Sequence, residues 1–185
     1  MAGFDSYCAY CATLPEDHPD RVYHDTEYGF PILDDAGFFG RFILEINQAG
    51  LSWTTILRKK DAFRLAYGGF DIDTVAGYGE HDVDRLLSDA GIVRNRLKIR
   101  AAIGNARSIQ ALREEFGSFR GWIEAHHPLP KEEWVRIFKK HFTFVGGEIV
   151  GELLMSAGYL DGAHIAGCPA GKRAIEAGAA WTRNY

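Results

Sequence analysis

The sequence has few of the features that mark secreted or membrane proteins. Only three of its 185 residues are cysteine, an odd number that argues against a disulfide framework. The N-terminal stretch has no basic segment followed by an apolar run, so it does not read as a signal peptide. No apolar run approaches the length of a membrane-spanning helix. These absences predict a cytoplasmic protein with no membrane partner.

A net positive charge and linker sequences are also lacking. The formal net charge of −4 gives the whole molecule no attraction for nucleic acid, although a local basic face can still bind phosphates. Internal repeats and Gly/Ser/Pro-rich linkers are absent, so residues 1–185 are predicted to form a single domain. With 46% hydrophobic residues, the chain can bury a core without disulfides. Nothing in the sequence demands more than a monomer.

Helical periodicity extends through most of the chain and predicts an all-α fold. It is clearest at residues 39–46, where apolar positions recur at helical spacing after a capping aspartate, Asp34 or Asp35, and before Gly50. Ser52 is predicted to cap the next helix. That helix is predicted to extend to residue 65. The further predicted helices span 81–91, 94–117, 131–140 and 147–157, and one more begins after Ser118. Residues 1–30 are predicted to be irregular.

An irregular N-terminal segment needs a fastening other than helix packing. Cysteines and histidines concentrate at both ends of the chain: Cys8, Cys11, His18 and His24 near the start, and His164 and Cys168 in HIAGC near the end. Four nitrogen and sulfur ligands from two distant segments are typical of structural zinc. Such a site would join the two ends as a zinc clasp. In the alternative without a metal, Cys168 is a small core residue and His164 lies on the surface. If a metal does bind, Cys11 rivals His24 as the fourth ligand.

A basic hairpin is predicted within residues 86–106. Two helices meet there through a turn at Gly91, and Arg94, Arg96 and Lys98 follow directly. Backbone N–H groups and the positive end of the second helix can hold a phosphate there without reading a base sequence. The alternative is an ordinary solvated charged face.

One acid, Glu45, stands in the otherwise apolar helix predicted around residues 39–46. An unpaired carboxylate is costly to bury, so its position needs an explanation. Glu45 borders the apolar stripe of the helix, and Trp53 follows after the turn at Gly50, so both can face one aromatic recess. The alternative is a pair with Arg41 across one helical turn, worth at most about 0.5 kcal/mol.

Five strings of the chain together resemble the DNA-3-methyladenine glycosylase I family. They are YHDTEYGFP (23–31), LEINQAGLSWTTILRKK (44–60), DAGIVRNRLKI (89–99), FTFVGG (142–147) and HIAGC (164–168). The resemblance implies an all-α helix-hairpin-helix glycosylase bundle with a structural zinc between the N- and C-terminal segments. It does not extend to the tail, residues 169–185, whose role stays unassigned.

The resemblance also implies a set of site residues. The zinc ligands would be Cys8, His24, His164 and Cys168. Cys8 is preferred to Cys11 because an aromatic residue, Tyr10, follows it by two positions, as in the family. The damaged base would lie against Glu45, Tyr23, Trp53, Tyr28 and Tyr10. The hairpin residues Gly91, Arg94, Arg96 and Lys98 would contact DNA.

The implied function is that of a monofunctional DNA N-glycosylase in base excision repair. It would turn an alkylated purine similar to 3-methyladenine out of double-stranded DNA, at the nucleoid, and hydrolyse its N-glycosidic bond. Such a base is cationic, so an aromatic pocket with Glu45 attracts it more strongly than a normal base.

Two other functions remain open on the sequence alone. Ile46 and Glu148 depart from the family pattern and favour a non-catalytic, zinc-stapled module that binds DNA or a modified base. A zinc hydrolase is the third reading, and it requires a metal with an open coordination position.

Overall fold

Helices make up nearly all the regular structure of this protein. The computed structural model describes residues 3–183, and no β-strand occurs among them, which confirms the all-α prediction. None of the helices in that range is long and apolar enough to cross a membrane. The α-helices are α1 Tyr7–Ala12, α2 Pro19–Thr26, α3 Asp35–Gln48, α4 Trp53–Arg58, α5 Lys60–Ala66, α6 Ile72–Ala76, α7 Glu80–Ser88, α8 Arg96–Phe116, α9 Phe119–His126, α10 Lys131–His141, α11 Gly147–Ser156 and α12 Pro169–Glu176. Short 3-10 turns occupy Gly68–Phe70 and Ala180–Thr182.

Helix α3 is the central element of the core. Of the two candidate caps, Asp34 is the one whose carboxylate accepts a hydrogen bond from the amide of Gly37, at 2.7 Å. Every residue from Phe38 to Asn47 is buried, because α4, α8, α9 and α11 all pack against this helix. The helix ends at Gln48, and the positive φ of Gly50 (85°) is a conformation that glycine adopts without strain.

Most predicted helices are present with boundaries within a few residues of those expected. Ser52 and Ser118 cap α4 and α9 through their side chains, as predicted. The single helix expected over residues 52–65 is wrong, because the chain breaks at Lys59 into α4 and α5. Its expected apolar position Leu65 is 83% exposed, on the outer face of α5.

The expectation that residues 1–30 are irregular is also wrong. Ser6 caps α1 by accepting a hydrogen bond from the amide of Ala9, and the His18 side chain caps α2. These helices have six and eight residues, so they are too short to display an apolar period. The tail forms α12, which packs against α2 and so brings the two ends of the chain together.

Candidate active site

A cavity of about 380 Å³ opens beside the C-terminal half of α3. We call it the Glu45 cavity. Its walls come from α1, α2, α3, α4 and α11 together with the segment that follows α2. The lining side chains are those of Tyr7, Tyr23, Tyr28, Glu45, Gln48, Trp53, Glu148 and Glu152. Tyr23, Tyr28, Glu45 and Trp53, which were predicted to share one recess, lie together here.

Glu45 is buried, yet its carboxylate has no hydrogen-bond or ion-pair partner among residues 3–183. Its exposed fraction is only 5%. Burial raises the pKa of the carboxyl to about 8, a nearby Arg41 lowers it, and the charge of Glu152 raises it further. At neutral pH the Glu45 carboxyl is therefore mostly protonated. A group of this kind is free to bond a ligand.

The alternative reading of Glu45, a helical pair with Arg41, does not hold. The Arg41 guanidinium donates one hydrogen bond to the Tyr23 hydroxyl at 2.8 Å and another to the Glu27 carboxylate at 3.0 Å. Its central carbon also lies 4.7 Å from the centre of the Tyr23 ring. Arg41 thus positions Tyr23 and leaves Glu45 without an ion pair.

Aromatic rings form the walls of the cavity. The Tyr23 ring lies edge-on to Trp53 with centroids 5.2 Å apart, and 5.5 Å from the ring of Tyr28. Tyr7 in turn meets Tyr28 edge-on at 5.5 Å. Tyr10, which was expected to contact the base, is wrongly placed for that role because it stacks behind Tyr7, away from the cavity. Tyr7 occupies the position that Tyr10 was expected to fill.

The sequence reading missed three cavity residues, Tyr7, Gln48 and Glu152. Helical spacing could have found Gln48 and Glu152, but not Tyr7. Gln48 follows Glu45 by three residues on α3, and Glu152 follows Glu148 by four on α11, so both members of each pair face the same way.

The substitutions that seemed to alter the cavity act differently. Ile46 is 1% exposed and belongs to the main hydrophobic core, so it does not line the cavity. Glu148 does line the cavity, but its side chain is 92% exposed and pairs with Lys131 at 3.4 Å. The deeper acid is Glu152, whose carboxylate accepts a hydrogen bond from the Tyr28 hydroxyl at 3.3 Å.

Four side chains from the two ends of the chain converge into what we call the Cys/His cluster. Its members are Cys8, His24, His164 and Cys168, and one ligand atom of each lies within 4.8 Å of all the others. The Sγ of Cys168 is 3.5 Å from His164 Nδ1 and 3.7 Å from His24 Nε2. This group can hold a metal ion.

The second ring nitrogen of each histidine in the cluster has an acceptor. His24 Nδ1 lies 2.8 Å from an oxygen of Asp25, and His164 Nε2 lies 2.7 Å from the carbonyl of Tyr28. Such acceptors fix the tautomer that turns the other nitrogen towards a metal. Cys11 is excluded as a rival ligand, because its thiol bonds the carbonyl of Asp20 instead.

The turn between α7 and α8 is braced by polar contacts. The amide of Gly91 donates to the side chain of Asp89 at 2.7 Å. The Lys59 ammonium bonds the carbonyls of Ala90 and Gly91 at 3.0 and 3.1 Å. Gly91 was expected to present its amide to DNA, but that amide is already occupied within the turn. Its contribution is the turn itself.

The predicted basic residues of this hairpin differ in their environments. Arg94 is exposed and has no ion-pair partner in the described chain. Arg96 pairs with Glu80 and Asp84 on α7. The expectation that Lys98 contacts phosphate is wrong: Lys98 is 5% exposed, and its ammonium binds two carbonyls at the end of α3.

Comparison with known proteins gives a consistent result. Residues 14–136 match the model of the methyladenine glycosylase family. The DNA-3-methyladenine glycosylase 1 of Escherichia coli K12 is 34% identical over 177 residues, which cover 85% of this chain and 94% of that protein. The DNA-3-methyladenine glycosylase of Haemophilus influenzae is 31% identical, covering 80% of this chain and 89% of its own.

Solved structures support the same relationship. The 3-methyladenine DNA glycosylase I of Staphylococcus aureus, whose structure describes recognition of 3-methyladenine, superposes with a TM-score of 0.79 at 29% identity. The match covers 89% of this chain and 97% of that one. The resemblance seen in the five sequence strings is thereby confirmed, and the chain belongs to the methyladenine glycosylase family.

Proposed function

We propose that this protein is a monofunctional DNA glycosylase that removes an alkylated purine similar to 3-methyladenine from double-stranded DNA. The observation that carries the proposal is the unpartnered carboxyl of Glu45 inside an aromatic cavity. Family membership makes the chain an N-glycosyl hydrolase, and the cavity supports the choice of base. Base excision repair in the cytoplasm by a monomer is the corresponding cellular role.

The cavity suits a flat cationic base. Alkylation at a ring nitrogen leaves a purine nucleotide positively charged, and the faces of Tyr23, Tyr28 and Trp53 attract such a cation. Entry of the cation also stabilises the ionised form of Glu45, whose pKa burial otherwise raises to about 8. The ionised carboxylate then accepts hydrogen bonds from the edge of the base. A normal, neutral purine does not receive this stabilisation.

The chemical step needs little acid catalysis, because an alkylated purine is already a good leaving group. As the glycosidic bond breaks, the sugar acquires positive charge similar to that of an oxocarbenium ion, and water attacks it. The negative charge of Glu45 favours this charge distribution electrostatically. Glu45 therefore contributes by binding the base and by the electrostatic effect of its negative charge.

The surface around the cavity supports the binding of a duplex. Arg94 offers a free positive charge beside the braced turn, a geometry that holds a phosphate independently of sequence. We assign this helical pair to the helix-hairpin-helix class on that basis. The exposed ring of Phe144 lies 6.0 Å from the ammonium of Lys98, which binds the end of α3. An exposed apolar side chain can fill the gap that an everted nucleotide leaves in the stack.

We further propose that the Cys/His cluster binds structural zinc. Ligand atoms around one tetrahedral zinc lie about 3.3–3.8 Å apart, from bond lengths of about 2.0–2.3 Å. The sulfur–nitrogen distances of 3.5 and 3.7 Å in the cluster fall within that range. Four protein ligands fill the coordination shell, so zinc here would stabilise the fold and take no part in hydrolysis. The same argument disfavours a zinc hydrolase.

The test is release of free base from DNA treated with a methylating agent, with Glu45→Gln as the variant and Glu148→Gln as the matched control. We expect Glu45→Gln to lower the rate roughly 10- to 100-fold and Glu148→Gln to leave it nearly unchanged. If the wild type and Glu45→Gln both release base only at the background level, the proposal is contradicted. Tight, salt-sensitive DNA binding without any abasic product would favour the non-catalytic binding module instead.

A further inference from the structure

Besides Glu45 and the exposed Glu148, the Glu45 cavity contains a deeper carboxylate, Glu152, which the proposed reaction does not require. Glu152 lies one helical turn beyond Glu148 on α11, is half-buried, and bonds the Tyr28 hydroxyl. Helix α11 packs directly against α3, so the acids of both helices line one small space.

The charged groups around Glu152 leave it without a close cation. On its own helix Glu148 adds further negative charge, and across the cavity α3 contributes Glu45. Among residues 3–183, the one cation with an influence on Glu152 is Lys131 of α10, whose ammonium already pairs with Glu148. Tyr28 donates a hydrogen bond but brings no charge.

Two acids in one poorly solvated cavity cannot both ionise without cost. Burial raises the pKa of Glu152, and the charge of Glu152 in turn raises the pKa of Glu45. The pair of carboxyls therefore retains a proton at neutral pH. A neutral ligand leaves that proton on the carboxyl. A cation instead favours the ionised carboxylate, so the proton is released to solvent when the cation binds.

We propose that Glu152 is a specificity-determining residue, which with Glu45 forms a carboxyl pair that selects a purine cation over a neutral purine of similar shape. The proposal rests on the proposed function and deepens it. Glu45 alone can accept hydrogen bonds from any purine edge. The carboxylate of Glu152 adds a preference for a cationic ligand. Its charge is poorly screened because the side chain is half-buried, and no cation forms an ion pair with it among residues 3–183.

The experiment compares the affinities of two small probes at pH 8. One is 3,9-dimethyladeninium, which is permanently cationic, and the other is 3-methyladenine, which is uncharged at that pH. The measured quantity is the ratio of the two dissociation constants by titration calorimetry. We expect Glu152→Gln to lower the preference for the cation roughly tenfold, as for one opposite charge nearby.

One control variant separates the deep acid from an exposed acid of the same helix. Glu148→Gln removes an acid from the same helix, but an exposed and paired one, so the ratio should stay within about twofold of the wild type. Release of a proton on binding the cation, and its reduction in Glu152→Gln, is a second readout.

The outcomes are distinct. An unchanged ratio in Glu152→Gln, or an equal loss in Glu148→Gln, overturns the role of Glu152. If the wild type releases base from methylated DNA while the ratio does not move, this proposal alone fails. If the wild type releases no base at all, the proposed function fails, whatever the ratios are.

Discussion

Glu45 shows how a single residue can oppose stability while serving a function. Its carboxyl has a pKa of about 8 in the folded chain, well above the ordinary value of 4.5. The folded state therefore holds a proton that the unfolded state loses between those two values. Stability must fall as the pH rises through this window, because the unfolded state binds fewer protons there.

The corresponding prediction concerns thermal stability. Glu45→Gln mimics the protonated form at every pH, so it should be about as stable as the wild type at pH 4.5 and clearly more stable at pH 8.5. The difference at pH 8.5 should be on the order of 2–4 kcal/mol. Melting temperatures of both proteins at the two pH values provide the measurement. A wild type at least as stable as Glu45→Gln at pH 8.5 would mean that Glu45 has a partner.

Phe144 is a second residue held in an unfavourable state. Its φ of 61° is uncommon for a bulky side chain, and its ring is 38% exposed. The buried amide of Asn105 holds the preceding residue, Thr143, through its backbone N–H and carbonyl. Backbone strain that is maintained in this way is frequent at functional sites.

We expect Phe144→Ala to reduce base excision from duplex DNA roughly tenfold and to leave the affinity for free 3-methyladenine unchanged, since unstacking costs a few kcal/mol per step. The readouts are single-turnover excision and calorimetry. Leu65→Ala, on an 83% exposed side chain of α5, is the control. Full activity on duplex DNA in Phe144→Ala would remove this residue from the DNA-binding surface.

At the scale of elements, the hairpin of α7 and α8 contains two cations with opposite roles. Lys98 ties α8 to the end of α3, since its ammonium binds the carbonyls of Asn47 and Ala49 at 2.9 and 2.7 Å. Arg94, four residues earlier, faces solvent. Two cations only four residues apart thus have different roles, because the N-terminal end of α8, which contains Lys98, packs against the core.

The two cations should respond differently to substitution. Lys98→Met leaves two carbonyls without their donor and should lower the free energy of unfolding by about 1–3 kcal/mol. Arg94→Ala should leave stability unchanged and reduce the slope of log binding constant against log salt concentration by about one. Denaturant unfolding and DNA binding at several salt concentrations measure both. A reversed pattern would restore Lys98 as the phosphate contact.

Element prediction succeeded where a cap and a long apolar period agree. The capping side chain of Asp34 and the apolar spacing of α3 independently predict the same helix, and the structure contains it. Helices α1 and α2 were missed because such short segments are stabilised by tertiary packing more than by local pattern. For the same reason the break at Lys59 and the exposure of Leu65 could not be read from spacing.

For the molecule as a whole, the Cys/His cluster joins ends that are about 140–160 residues apart in the chain. Cys168→Ser should lower the zinc content from about one atom per chain and lower the melting temperature by several degrees, because zinc binding and folding are coupled. Elemental analysis and thermal unfolding test this. Cys11→Ser is the matched control, and loss of metal from it would contradict the ligand set.

The sequence predicted Glu45, its aromatic surroundings and the Cys/His cluster, because each consists of residue types whose chemistry is distinctive. It could not predict which neighbour Arg41 would choose, since Glu27 and Tyr23 reach it only in the folded chain. It also could not separate Tyr7 from Tyr10, because the orientation of the short α1 decides which ring faces the cavity.

The central claim is that the Glu45 cavity excises a cationic alkylated purine. The most direct measurement is mass-spectrometric identification of the bases released from a mixture of methylated and deaminated duplex DNA. The account predicts release of 3-methyladenine or a similarly cationic purine, greatly reduced in Glu45→Gln, with no release of neutral deaminated bases. Release of hypoxanthine or uracil in preference to alkylated purines, or release that is unaffected by Glu45→Gln, would contradict it.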